Sequence, residues 1–278
     1  MRARNRGITV AVAVAVAVAL TASPANAAWK ELAPGLDLGT FVLETRDGNA
    51  ELQALRIDAA RWDLGVYCAS EHGMKRGLSA RTWAARFDLA AVINAGMFAT
   101  DYLTHVGHLR NGVHVNNSHK NAYRSVAAFR PRREGLPPFL IEDLDRPEAA
   151  PLDSLIRRYE CVVQNLRLVK RPGENRWTPQ DRRWSEAALG EDEQGRALFL
   201  FCRTPFAMHD FNTLVLGQKD LRLVAAQHLE GGPQAQLYLN AGGQEREWVG
   251  GLPGAYGENE GNRIAWPVPN VIGVRRRS

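Results

Sequence analysis

The sequence lacks the short motifs that mark several large enzyme classes. It contains no G-x-S-x-G sequence, which excludes the nucleophilic serine of an α/β-hydrolase. It has neither a Walker A loop nor a G-x-G-x-x-G fingerprint, which excludes the two common nucleotide-binding folds that carry them. No spacing of cysteine and histidine resembles a zinc site. There is no internal repeat, so a solenoid or propeller is not expected.

Long hydrophobic runs are also scarce, and the clearest one lies at the N-terminus. Three arginines within the first six residues precede an Ala/Val run, and Ala25-Asn26-Ala27 forms an A-x-A cleavage sequence. This combination predicts a secretory signal peptide over residues 1–27 and one domain over residues 28–278. The alternative is an uncleaved anchor, although a membrane-spanning helix needs ~20 apolar residues. We therefore expect a secreted or periplasmic protein with no membrane span in the mature chain.

Cysteine is rare and the charge is nearly balanced. The formal charge is +5, and loss of the three leader arginines leaves +2, without the strong clustering of a nucleic-acid-binding surface. Cys68, Cys161 and Cys202 are an odd set. In an oxidising compartment they predict one disulfide and one free thiol. Cys161 and Cys202 are the expected pair, because both lie in apolar runs typical of strands that could be neighbours.

Apolar patterns predict many strands and a few helices. Two helices are indicated, one over residues 80–87 with Ser79 as its N-cap, and one that starts near Ala207 and ends at Gly217. Strands are predicted for other apolar segments, with a hairpin turn at Asn111-Gly112. Loops or turn-rich segments are predicted over residues 130–138, 171–184 and 248–262, and residues 142–156 show only a weak pattern. Strands and helices alternate in places, and elsewhere strands follow one another. The pattern predicts an α/β protein of the α+β mixed type, with helices packed on a mixed twisted β-sheet in a single domain.

Two glycine-containing sequences stand where predicted strands end. "INAGMF" puts Asn94 before Ala95-Gly96, and "LEGGPQ" puts Glu230 directly before Gly231-Gly232. A tight hairpin would favour Asn-Gly or Asp-Gly, so these glycines are expected to let a ligand approach the backbone beside the acid. The alternative is structural: Glu230 accepts backbone hydrogen bonds in a turn, and Asn94 caps its own turn.

The order of "VINAGMF", "LEGGPQAQLY" and "VPNVIGV" resembles the phosphodiester glycosidase family over about residues 90–274. That family hydrolyses the bond between the anomeric carbon of a sugar and a phosphodiester oxygen. The resemblance implies a secreted hydrolase that cleaves a sugar 1-phosphodiester or a related cell-envelope glycan. The implied binding partner is a phosphorylated sugar or envelope glycan, and binding to nucleic acid is not expected. No metal ligand and no certain cofactor are predicted, and the participation of a divalent cation stays open.

The resemblance also suggests roles for individual residues. Glu230 is the candidate carboxylate that activates water or stabilises a cationic sugar. His209, early in the helix that follows Arg203, is a second catalytic candidate. The predicted substrate-binding residues supply amide, guanidinium or exposed backbone groups for sugar and phosphate; they are Asn94, Gly96, Gly107, Arg182, Arg183, Arg203, Gly231 and Gly232.

The chain departs from the family pattern beside the proposed acid. The family usually has Asp-Gly-Gly where this chain has Glu230-Gly231-Gly232, and often has serine where this chain has Gln234 and Ala235. A glutamate is one methylene longer, and a displacement of ~1 Å in a catalytic group can cost about a hundredfold in rate. The alternative function is therefore a non-catalytic secreted glycan-binding or envelope-associated protein that retains the fold.

Overall fold

The computed structural model describes residues 29–46, 48–254, 257–259 and 261–277. The predicted signal peptide lies outside them. The described helices are α1 (Ala80–Phe87), α2 (Leu152–Arg158) and α3 (Met208–Gly217). The described strands are β1 (Lys30–Ala33), β2 (Leu36–Thr45), β3 (Gly48–Ile57), β4 (Trp62–Cys68), β5 (Ala91–Asn94), β6 (Leu109–Asn111), β7 (His114–Asn117), β8 (Ser125–Pro131), β9 (Phe139–Asp143), β10 (Tyr159–Asn165), β11 (Arg167–Val169), β12 (Trp184–Asp192), β13 (Ala197–Phe206), β14 (Leu223–Gly231), β15 (Gln236–Ala241), β16 (Gln244–Val249), β17 (Leu252–Gly254), β18 (Gly257–Asn259) and β19 (Asn270–Arg276).

These strands form three main sheets. A seven-stranded sheet has the order β1-β2-β3-β13-β12-β14-β11. Two five-stranded sheets have the orders β7-β6-β10-β8-β9 and β16-β15-β5-β19-β4, and β17 pairs with β18 as a separate ribbon. Neighbouring strands in all of them run antiparallel. The predicted α+β class is confirmed, and its strands are divided among three sheets.

The inner faces of the three sheets enclose one central core. Phe199 of β13, Phe129 of β8 and Ile93 of β5 belong to the same buried cluster although they come from different sheets. The outer face of β13 is apolar as well, because Leu198 and Leu200 pack into a second cluster beneath α3. Burial on both faces explains why the sequence of β13 is a continuous apolar run rather than an alternating one.

Each helix covers the outer face of one sheet. Trp83 of α1 packs on Val92 and Val271 of the sheet that holds β5 and β19. Leu155 of α2 packs on the sheet that holds β8 and β10, through Val162. The predicted bounds of α1 are confirmed, and the Ser79 hydroxyl accepts a hydrogen bond from the Thr82 amide as an N-cap does. The predicted end of α3 at Gly217 is confirmed as well.

The predicted disulfide between Cys161 and Cys202 is wrong. None of the three cysteines is in a disulfide bond, and all three are buried. Cys161 of β10 faces the central core, whereas Cys202 of β13 lies in the cluster beneath α3. The two strands belong to different sheets and the side chains to different core clusters, which the local sequence could not indicate. No described helix has the length and hydrophobicity required to cross a membrane.

Candidate functional site

The end of β14 carries two titratable side chains into one pocket. His228 and Glu230 are two residues apart, so they project to the same side of the strand. Leu229 between them points the other way and is completely buried in the central core. β14 pairs with β12 here, with Ala187 opposite Glu230 and Ala188 opposite His228. The buried leucine and the paired backbone therefore fix where the two polar side chains emerge.

The pocket has a volume of about 360 Å³ and combines aromatic, charged and backbone surfaces. Trp177 and Trp184 form an aromatic wall, with their ring centroids 6.3 Å apart. The guanidinium carbon of Arg182 lies 5.5 Å from the centroid of the Trp184 ring. The other lining residues are Met97, Leu166, His228, Glu230, Gly231, Gly232, Pro233 and Gln234. A pocket of this size and character suits one sugar unit with an attached anion.

His228 is anchored by a buried carboxylate behind it. Its Nδ1 lies 2.7 Å and 2.9 Å from the two oxygens of Glu186. Glu186 also accepts a 2.9 Å hydrogen bond from the indole Nε1 of Trp184. Burial by itself would lower the pKa of His228, but the Glu186 carboxylate outweighs it and raises that pKa. With Nδ1 donating to Glu186, Nε2 is the nitrogen left for other partners.

Glu230 is half-buried, and its carboxyl is strongly perturbed. Burial raises the pKa of Glu230 from 4.5 to about 7, although the neighbouring His228 and the Gly231 amide favour its ionised form. The Gly231 amide donates a 3.1 Å hydrogen bond to Oε1 of Glu230. A carboxyl that titrates near neutral pH can both accept and return a proton under ordinary conditions.

The two glycines after Glu230 have separate structural reasons. A Cβ atom on Gly231 would lie 2.5 Å from Cδ1 of Trp184, so glycine here lets the indole approach the backbone closely. Gly232 has φ of +62°, the left-handed conformation that favours glycine, and begins a short 3-10 turn over Gly232–Gln234. The glycines thus place Trp184 and turn the chain across the end of the pocket.

Asn94 holds this turn in place. Its Nδ2 donates to the Gln234 carbonyl at 2.7 Å, and its Oδ1 accepts from the Gln236 amide at 2.8 Å. Only 1% of Asn94 is exposed, and it does not line the pocket. The structure therefore brings Asn94 close to the turn that follows Glu230, in a position to support the pocket through Gln234.

Gly96 and Gly107 pack against residues of β10. A Cβ atom on Gly96, whose φ is +145°, would lie 2.2 Å from Oδ1 of Asn165. A Cβ atom on Gly107 would lie 2.5 Å from the Gln164 carbonyl oxygen. Both glycines are required by close packing between protein segments, and neither lines the pocket.

The remaining predicted residues lie outside the pocket lining. Arg183 is exposed and Arg203 is partly buried on β13, where its guanidinium donates to the Asn262 carbonyl. His209 lies at the start of α3, with Nδ1 3.4 Å from Asp210. Of the predicted site residues, the pocket brings together Glu230, Gly231, Gly232 and Arg182.

Sequence reasoning missed His228, Glu186 and Trp184. The spacing of these residues along the chain carried a usable signal, because residues two apart on a strand share one face. Trp184 and Glu186 have this spacing on β12, and His228 and Glu230 have it on β14. Trp177 lies in a segment without regular secondary structure, where apolar periodicity gives no signal. Among the described residues, no group of three or more His, Cys, Asp or Glu side chains is placed to hold a metal ion.

The chain belongs to the phosphodiester glycosidase family, whose sequence profile matches residues 87–275. The catalytic domain of zebrafish N-acetylglucosamine-1-phosphodiester alpha-N-acetylglucosaminidase, auto-inhibited by its pro-peptide, has a similar fold. The TM-score is 0.64 at 12% identity, with 91% of this chain and 87% of that chain covered. A hypothetical protein from Synechocystis is similar with a TM-score of 0.59 at 14% identity, covering 92% and 64% respectively. A comparison with curated protein sequences finds no significant match.

Proposed function

We propose that this protein hydrolyses sugar 1-phosphodiesters at the bond between the anomeric carbon and the phosphate oxygen. One observation carries the proposal: Glu230, whose pKa is raised to about 7, lines a pocket together with His228, two tryptophans and an arginine. Family membership and the similarity to a zebrafish enzyme named for cleaving such a bond support the same reaction. The proposed natural substrates are phosphorylated sugars of the cell envelope.

In the proposed reaction, ionised Glu230 takes a proton from a water molecule that attacks the anomeric carbon. A new bond forms between the water oxygen and that carbon, and the carbon–oxygen bond to phosphate breaks. The electron pair of the broken bond leaves with the phosphate monoester, which is a good leaving group and needs little protonation. The developing positive charge on the sugar is stabilised by the negative charge of Glu230, the carboxylate that lines the pocket.

The other pocket residues have roles that follow from their chemistry. The Arg182 guanidinium binds phosphate oxygens, for which its planar set of N–H donors is suited. Trp177 and Trp184 stack on the sugar ring. His228 is oriented by Glu186, so its Nε2 holds either a sugar hydroxyl or a phosphate oxygen. Glu186 acts through His228 and Trp184 and is a positioning residue.

The test is to follow where solvent oxygen goes. The purified protein is incubated with N-acetylglucosamine 1-(methyl phosphate) in ¹⁸O-labelled water, and the products are analysed by mass spectrometry. Hydrolysis at the glycosidic bond puts the label in the free sugar, whereas attack at phosphorus puts it in the phosphate. Label in the phosphate, or full activity of a folded Glu230→Gln variant, would contradict the proposal. Glu134→Gln, at an exposed loop position, is the matched control.

We further propose that residues 1–27 direct the chain out of the cytoplasm and are then removed. The support is the sequence alone: a basic start, an apolar run and an A-x-A sequence. N-terminal sequencing of protein recovered from the periplasm or medium of a bacterial host is expected to start at Ala28. Recovery of the full-length chain from the cytoplasm would contradict this.

A further inference from the structure

A second cavity adjoins the candidate active site. Its volume is about 430 Å³, which is larger than that of the first. Leu166 and Trp177 line both cavities, so the two hollows share a boundary. The Leu166 carbonyl accepts a 2.9 Å hydrogen bond from the His228 amide, which joins this boundary to the strand that carries the active-site residues. A ligand that fills the first cavity and extends past Trp177 would enter the second.

All of the charged side chains that line the second cavity are positive. They are Arg124, Arg167 and Arg176, and the rest of the lining is neutral. The adjoining sequence over residues 176–180 also exposes Thr178 and Gln180, which can hydrogen-bond to hydroxyl groups. A lining of this kind favours an anionic, hydroxyl-rich ligand.

Each of the three arginines has a carboxylate neighbour that does not line the cavity. Arg167 contacts Asp143 at 2.8 Å and Asp145 at 2.6 Å, and Arg176 contacts Glu174 at 2.8 Å. Both bonds of Arg167 to these acids come from Nη1, so the hydrogens on Nε and Nη2 have no partner within the described part of the chain. Such acids orient a guanidinium while leaving donors for an oxyanion.

Arg124 adds a third positive group to the same cavity. Its Nε lies 3.5 Å from Asp145, the acid that also contacts Arg167. One aspartate therefore links two of the arginines, which keeps them on one side of the cavity. Arg167 is the least exposed of the three and is held by two acids, so its remaining donors lose little conformational entropy when they bind an anion.

We infer that the second cavity binds the part of the substrate beyond the scissile phosphate, and that this part carries a second phosphate group. The preferred substrate class is accordingly an oligosaccharide whose sugars are joined by successive phosphodiesters. The inference rests on the proposed function, because it takes the first cavity as the place where the sugar 1-phosphodiester is cleaved. The sugar to be released lies against Trp184, and the next sugar phosphate lies past Trp177 against Arg167 and Arg176.

The test compares two probes that differ only in length. One is N-acetylglucosamine 1-(methyl phosphate), with a single phosphodiester. The other is a two-unit oligomer of N-acetylglucosamine 1-phosphate joined from C1 to C6 and ending in a methyl phosphate. The wild-type protein is expected to cleave the oligomer with a kcat/KM about tenfold higher. Arg176→Gln is expected to remove most of this preference and leave kcat/KM for the short probe within about twofold of wild type.

Arg133→Gln is the matched control, since it removes the same charge from an exposed loop away from both cavities. It is expected to retain the preference for the oligomer. Equal kcat/KM for the two probes in the wild-type protein, or loss of preference in both variants, would overturn the second binding site while leaving the proposed reaction intact.

Equilibrium binding separates this inference from the proposed reaction. Calorimetry with the wild-type protein or its Glu230→Gln variant measures affinity for each probe without requiring turnover. Tighter binding of the oligomer that depends on Arg176, in a protein that cleaves neither probe, would support the second site and refute the proposed reaction. Binding of neither probe would refute both.

Discussion

The Glu230→Gln substitution is expected to make the protein more stable at alkaline pH while abolishing hydrolysis. The pKa of Glu230 is about 7 in the folded protein, compared with an ordinary value of 4.5. The folded state therefore binds the proton more tightly than the unfolded state does. This contribution to stability is fully present below pH 4.5 and is lost as the pH rises to 7 and beyond.

The difference between 4.5 and about 7 corresponds to at most about 3 kcal/mol of destabilisation above pH 7. Glutamine has nearly the same shape, and its carbonyl can still accept the hydrogen bond from Gly231. The variant escapes the cost of ionising a buried carboxyl, so it should unfold at higher urea than the wild type at pH 8. The gain falls short of this upper limit because Glu230 is only half-buried, so solvent partly screens the charge of its carboxylate.

The assay is urea unfolding of wild type and Glu230→Gln at pH 5 and pH 8, with Glu134→Gln as the control for removal of an exposed charge. The stability advantage of Glu230→Gln should be larger at pH 8 than at pH 5, and the control should show no such difference. In parallel, wild-type kcat/KM should rise through about pH 7 as Glu230 ionises. If the difference in stability between Glu230→Gln and wild type does not change with pH, Glu230 is not a buried carboxyl with a raised pKa.

Three further predictions concern the residues around Glu230. In steady-state kinetics, Gly231→Ala should raise KM about tenfold, because the added carbon would lie 2.5 Å from Trp184. The control is Gly217→Ala, whose added carbon meets nothing within 4 Å. Glu186→Gln should lower the free energy of unfolding by about 3 kcal/mol and shift the pH profile of kcat, because it breaks the buried pair with His228. An unchanged pH profile would argue against a positioning role for Glu186. Asn94→Ala should cost about 2–4 kcal/mol in urea unfolding, since two buried hydrogen bonds are lost; wild-type stability would contradict the support it gives to the turn.

Local sequence determined the elements whose causes are local. The Ser79 cap and the apolar spacing after it fix α1, and the hairpin at Asn111-Gly112 follows from residues within a few positions of each other. The continuous apolar run that starts at Ala197 is typical of a buried strand, and β13 forms there. The pairing of an acid with two glycines pointed to Glu230, and the pocket contains it.

Features that depend on contacts between segments far apart in the sequence were decided only by the tertiary structure. Cys161 and Cys202 lie in similar apolar runs, yet their strands enter different sheets and their side chains different core clusters. Arg203 and His209 are near Glu230 in the predicted order of elements, but the sheet places their side chains outside its pocket. Long-range packing decides which sheet each strand joins, and thereby the direction in which its side chains point.

The sequence by itself determined the family, the α+β class and the position of the acidic strand end, because these are carried by short motifs and by apolar periodicity. Only the tertiary structure decided which groups surround that acid. Glu186 meets His228 across 42 residues of sequence, and Asn94 reaches Gln234 across 140. Such contacts form when β12 pairs with β14 and when β5 packs beside the turn after Glu230. Hydrogen bonds between residues this far apart leave no periodic signal along the chain.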